Sequence, residues 1–343
     1  PAPPKDNYIV LLDLSDRILN NNQQQAPKDI FVIQSIFNAF KARLNAKDPS
    51  RLYYSISDKL KVMVAPQRNA PADVYNMAGH LRISLASAMP EQKAKLIDET
   101  ERKFDSLLPL MYKRAVISNN STDYAGADIW KYFNEDLEDD LEKDARNTLF
   151  IITDGYMNFE RIEGRLSKNN RFTSCTQIIN QLKKQPDWDT RFKEDDYGLL
   201  AVDKKFNGLR VVLLELNPAQ EWAGEYSLLT AIWGRWFEEM GIDTYSFVKD
   251  DNINEVSESL EKLLQVHLPG SKETIAWTPV TAVDSLLAAA FSKPAPDDTS
   301  PAALIKKKEP SAITHTDSSS ILLKTGQKPI HKPKEQVSFG PAY

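Results

Sequence analysis

The stretch Tyr8-Ile9-Val10-Leu11-Leu12-Asp13-Leu14-Ser15-Asp16-Arg17 decides how this chain folds. Its opening run is apolar with no alternation, which reads as a strand buried on both faces, as in a parallel sheet covered by helices. The run stops abruptly in short polar and charged residues. Asp13 and Ser15 therefore stand where the strand gives out, at the end of the sheet where open α/β folds bind ligands. A second run, Thr148-Leu149-Phe150-Ile151-Ile152-Thr153-Asp154-Gly155, repeats the arrangement. If the two strands are neighbours, Asp13, Ser15 and Asp154 converge on one small polar site.

Working outward, residues 29–44 carry Ile30, Ile33, Phe37, Phe40 and Leu44 at helical spacing, with Pro27 marking the start. Residues 52–56 and 60–64 read as two strands of a hairpin about a turn at 57–59. Residues 81–111 read as helix, broken at Met89-Pro90. The segment from Ala125 leads into a further helix whose acidic end, 135–140, is a solvated face. A polar loop at 156–171 holds Arg161, Arg165, Lys168 and Arg171. Beyond it come a helix at 176–184, an irregular stretch at 185–208 and a buried strand at 209–216. A Trp-rich helix at 226–240 is capped by Gly241, and a strand at 244–248 and a helix at 252–267 follow. Strands alternating with helices describe an α/β fold, doubly wound, with a mostly parallel sheet flanked by helices. The expected domain spans 1–269, with a helical insertion around 74–122. Residues 270–343, rich in Pro, Ser, Thr and Lys, read as an extended tail without its own core. The expected role of that basic tail is to lie on another subunit.

Composition narrows the function. The 343 residues carry a net charge of −5, which leaves no electrostatic footprint for nucleic acid. No stretch approaches the roughly 20 apolar residues of a membrane-spanning helix. Cys175 is the single cysteine, which excludes an intrachain disulfide and a cysteine-based zinc site. It fits a periplasmic, envelope-associated or cytoplasmic setting equally. The four histidines have no ligand spacing, no glycine-rich phosphate loop follows a strand, and Ser15 has no histidine near it in sequence.

Taken together and in order, Asp13-Leu14-Ser15-Asp16-Arg17, Ala125-Gly126-Ala127-Asp128-Ile129 and Ile151-Ile152-Thr153-Asp154-Gly155 resemble the motifs of the von Willebrand factor type A (vWA) domain family. The resemblance runs from about residue 8 to 267. It implies a Rossmann-like doubly wound fold and a metal-ion-dependent adhesion site. The family pattern is Asp-x-Ser-x-Ser, a Thr from the middle loop and an Asp after the fourth strand. Asp13, Ser15 and Asp154 match it. Arg17 stands where the second Ser belongs. Ala127 stands where the Thr belongs, with Thr122 the alternative if the loop is shifted. The resemblance thus implies a degenerate site for Mg²⁺ or another divalent cation, an ion that demands near-octahedral oxygen coordination. Arg17 either pairs with Asp13 and Asp154 and takes over the ion's charge-neutralising role, or points to solvent. Without metal, the two carboxylates would cap helix N-termini.

The leading expectation is a non-enzymatic protein–protein interaction module that binds its partner at the sheet end. The loop carrying Arg161, Arg165, Lys168 and Arg171 would favour an acidic partner surface. The alternative is a metal-dependent phosphoesterase or hydrolase using strand-end carboxylates. A third reading makes the chain a subunit of a larger assembly of the bacterial envelope or secretion type.

Overall fold

β1 (Lys5–Leu12) sits near the middle of a six-stranded sheet and is buried along nearly its whole length. The computed structural model describes residues 5–19, 25–44, 57–86, 88–159, 169–218, 222–249 and 253–265. The first strand of the expected hairpin, the loop positions Arg161, Arg165 and Lys168, and the tail lie outside them.

After β1 a short 3₁₀ turn, Asp16–Leu19, precedes α1 (Gln25–Leu44). Pro27 falls in the first turn of that helix, where its missing N–H has no helical partner to lose. Next come β2 (Lys59–Val64), α2 (Ala72–His80), β3 (Arg82–Ser84) and α3 (Pro90–Ala115). Then α4 (Ile129–Lys131) runs through a π-helical turn, Tyr132–Asp136, into α5 (Leu137–Asp140), and β4 (Ala145–Ile152) follows. A small two-stranded sheet of β5 (Arg171–Phe172) and β6 (Gly198–Leu199) brackets α6 (Cys175–Leu182) and α7 (Trp188–Glu194). The chain closes with β7 (Arg210–Leu216), α8 (Glu225–Glu239), β8 (Thr244–Lys249) and α9 (Ile253–Leu264).

The main sheet runs β3-β2-β1-β4-β7-β8. Counting only its own strands, that is the doubly wound order 3-2-1-4-5-6, whose switch point lies between the first and fourth. All pairings are parallel except β2 with β3. Alternate side chains of β1 feed two separate cores. Tyr8, Val10 and Leu12 pack with α1, α3 and α9, while Ile9 and Leu11 pack with α4, α6 and α8. A strand that must satisfy both cores has to be apolar at every position, hence the unalternating run. Among the described residues no helix is long and apolar enough to cross a membrane.

Three expectations change. Residues 81–85 are not helix. Leu81, Ile83 and Leu85 are buried while Arg82 and Ser84 are exposed, a period of two that pairs β3 antiparallel with β2. The antiparallel partner of β2 therefore comes from after it in the chain, and the helix of this region, α2, precedes β3. The stretch 185–208 is not wholly irregular either, since it holds α7 and β6, elements of seven and two residues.

Candidate functional site

The switch point brings the ends of β1 and β4 together. β1 pairs with β4 through Leu12 opposite Ile152, and the next amide, Asp13 N–H, donates to the Ile152 carbonyl at 3.0 Å. Asp13 thus follows β1 opposite Thr153, and Asp154 stands one residue further along the neighbouring strand. Asp13 is buried, and both of its oxygens are engaged. Oδ1 accepts from the Ser15 backbone N–H at 3.0 Å, an Asx-turn that holds the loop. Oδ2 accepts from the Thr153 hydroxyl at 2.8 Å, whose oxygen in turn accepts from Gly155 N–H at 3.0 Å. Asp154 is half-buried, and its Oδ1 accepts from Tyr156 N–H at 3.0 Å. Gly155 is required here. Its φ is +96°, and a Cβ would lie 2.5 Å from Leu216 Cδ2.

The charges at this end repel. Burial first, and then the neighbouring Asp13 carboxylate, push the Asp154 carboxyl up to about 6 against the pull of Arg17. Asp16 is raised as well, by burial and by Asp13. A carboxyl that titrates near 6 rather than 3.8 is one that the folded chain ionises only at a distinct free-energy cost.

Arg17 takes neither of the two paths the sequence offers. It is buried and turned towards α1 and β7, with Nη1 2.7 Å from Asp29 Oδ2 and Nη2 2.8 Å from Glu215 Oε2. Asp29 also accepts from the Tyr112 hydroxyl at 2.8 Å, and Gln25 Nε2 donates to Asp29 and to Glu215 at 2.7 and 2.6 Å. Arg17 touches Asp13 only through the backbone carbonyl, at 3.4 Å. Glu215 sits at φ +65° on a register shift of β7, a bulge of the kind that re-aims a side chain. Non-glycine residues hold such a conformation only where their surroundings impose it, and here the Arg17 ion pair does so. Burial opposes the charges of both Arg17 and Asp29, and their mutual attraction overcomes it, keeping the guanidinium protonated and Asp29 below its ordinary value.

The middle loop closes the site's third side. Asp128 N–H donates to the Pro66 carbonyl at 2.8 Å, and the Asp128 carboxylate caps α4 through Lys131 N–H at 2.9 Å. A Cβ on Gly126 would lie 2.6 Å from the backbone carbon of Asn158, so only glycine lets this loop press on the segment after β4. Ala127 is 1% exposed and contributes a methyl group to the core. Thr122 lies in an exposed 3₁₀ turn, Ser121–Asp123. Arg171 is placed in β5, where it pairs with Asp196 at 2.6 Å and Glu239 at 2.9 Å.

The sequence reading missed Asp29, Glu215 and Thr153. Glu215 left one signal, a lone carboxylate inside an otherwise apolar strand. Among the described residues no group of three or more His, Cys, Asp or Glu side chains is arranged to hold a metal ion. The oxygen groups at the strand ends are the Asp13 and Asp154 carboxylates, with Asp16 near enough to act on Asp154, and the Ser15 and Thr153 hydroxyls. No family model, curated protein or solved structure matches this chain.

Proposed function

We propose that this chain is a non-enzymatic protein-interaction module, of the kind its resemblance to vWA domains implies, with its docking point at Asp13, Ser15 and Asp154. The observation that carries the reading is the pair of carboxylates delivered side by side at the switch point, with Asp154 raised to about 6 by burial and by Asp13. With Arg17 committed to Asp29 and Glu215, that charge is left for an incoming cation. The donors suit a hard divalent ion that keeps several waters, because magnesium is commonly held by one or two carboxylates rather than by a full protein cage. Asp13, Ser15 and Asp154 would hold it, and the ion would supply open coordination positions for an oxygen of the partner. Asp13 would keep its Thr153 bond while doing so, since each carboxylate oxygen has two lone pairs.

The thiol that feels the charge of Asp154 argues against thiolate chemistry at this site. Burial, and then the charge of Asp154, push the Cys175 thiol well above its ordinary value, so it stays protonated at neutral pH. A phosphoesterase would in addition need a general base and a leaving-group acid beside the two carboxylates.

Titration calorimetry with Mg²⁺ and Mn²⁺ on the full chain, and on Asp13→Asn and Asp154→Asn, tests the reading. A saturable heat in the wild type that either substitution removes is expected. A flat wild-type titration would end the cation-dependent part of the proposal. Turnover of a generic phosphodiester by the metal-loaded protein would move the site to the hydrolase class.

A further inference from the structure

The amino-terminal end of the same sheet, opposite the strand-end aspartates, holds a polar cavity of about 250 Å³. Its lining includes Arg43 from the last turn of α1, Arg146 from the start of β4 and Arg210 from the start of β7. Against these three guanidinium groups stands one lining carboxylate, Asp6. It is already claimed by Arg43 at 2.7 Å and by Arg146 through two bonds of 2.9 Å. Arg210 has a single partner among the described residues, the Leu263 carbonyl at 3.2 Å, so most of its five donors are open. Tyr8 also lines the cavity. It is 1% exposed, and its buried hydroxyl has only the Arg43 guanidinium beside it, which can donate to the oxygen but cannot accept, so the O–H has no acceptor among the described residues.

Native structures rarely leave a buried O–H without an acceptor unless a ligand or water meets it. The three guanidinium charges of the lining face the Asp6 carboxylate and, behind it, Asp58, which also acts on Arg43 and Arg146; a bound oxyanion balances the positive surplus that remains. The guanidinium groups approach from three elements, which matches an oxyanion with acceptors on several sides better than the two oxygens of a carboxylate. The volume is several times the roughly 30 Å³ share of one water, enough for a phosphate with its bridging waters. Burial pushes the Tyr8 hydroxyl up to about 12, so it keeps its proton and donates.

We infer that the cavity between Arg43, Arg146 and Arg210 is a binding site for a compact tetrahedral oxyanion, free phosphate or a small phosphomonoester, which the Tyr8 hydroxyl helps to hold. Titration of the full chain with inorganic phosphate at fixed ionic strength, chloride serving as the exchange anion, tests it. One saturable site per chain is expected. Arg210→Met should weaken it at least tenfold and Tyr8→Phe severalfold. Both variants should keep a cooperative thermal transition, because Arg210 is exposed and Phe keeps every atom of the Tyr8 ring and lacks only its hydroxyl oxygen. Sulfate should compete and acetate should not, while glycerol phosphate in place of phosphate tells a phosphomonoester site from one closed to all but the free ion. Absence of binding in the wild type overturns the inference. So does phosphate binding that is indifferent to both substitutions, or acetate binding as tightly as phosphate.

Discussion

Asp6 and Asp13 belong to one run of chain and lie at opposite ends of the central strand, yet their surroundings differ in kind. Asp6 meets two guanidinium groups, Arg43 at 2.7 Å and Arg146 at 2.8 Å. Asp13 meets a backbone amide, a hydroxyl and the charge of Asp154, while the one guanidinium near it pairs elsewhere. Around Asp6 opposite charges pair, although its own charge adds to the burial that raises the neighbouring Asp58 carboxyl; around Asp13 like charges stand together, with no guanidinium among the described residues bonded to the side chain of Asp13 or Asp154. Ion pairing around Asp6 ties β1 to α1 and β4, while the like charges at the carboxyl end stand at the end of the sheet where α/β folds commonly bind ligands.

The sharpest way to break the comparison is to remove Arg17. Its side chain and those of Asp29 and Glu215 are all within 2% of full burial, so Arg17→Met leaves two buried carboxylates uncompensated. Losing one partner of such a group destabilises by about 3–5 kcal/mol, which denaturant unfolding of the variant should record. A loss below about 1 kcal/mol would put Arg17 in the class of surface pairs.

Next in size is Asp154→Asn. The substitution removes the charge and keeps an oxygen to accept from Tyr156 N–H. Because the folded carboxyl is raised from 3.8 to about 6, the native state holds an extra proton between those values. Stability therefore falls as pH rises through that window, and the penalty is complete above about 6. Asp154→Asn should be more stable than wild type by up to about 3 kcal/mol at pH 7.5, and the difference should shrink towards zero near pH 4. Taking the difference between the two proteins matters, since burial also pushes Asp58 up to about 6. Equal stability at pH 7.5 in the presence of a chelator would remove the repulsion from the account.

The smallest effect belongs to the amino end. Arg146 is 48% exposed, so its pair with Asp6 is screened by solvent. Arg146→Met should destabilise by about 1 kcal/mol or less, measured in the same unfolding experiment. A loss as large as that of Arg17→Met would erase the distinction between the two ends.

How far the sequence could be read follows from the same physics. The strand ends were legible because burial on both faces forces an uninterrupted apolar run, and its abrupt stop at Asp13 and again at Thr153-Asp154 marks where the sheet ends. β3 was not legible, since three residues of period two, Arg82–Ser84, are too few to stand out between two helices. The destination of Arg17 was not legible either. Its partners Asp29 and Glu215 lie 12 and 198 residues away, and nothing local distinguishes Asp29 from an ordinary surface carboxylate of a helix. Only the bulge that carries Glu215 reveals the pair, and a bulge in a parallel strand leaves no pattern beyond one carboxylate among apolar residues.

The adjacency of Asp13 and Asp154 can be measured directly from the ¹³C shift of the Asp154 carboxyl as a function of pH in metal-free solution. A midpoint near 6 that moves towards the ordinary carboxylate range in Asp13→Asn is the expected result. A wild-type midpoint near 4, unchanged by Asp13→Asn, would mean that the two carboxylates do not share the switch point.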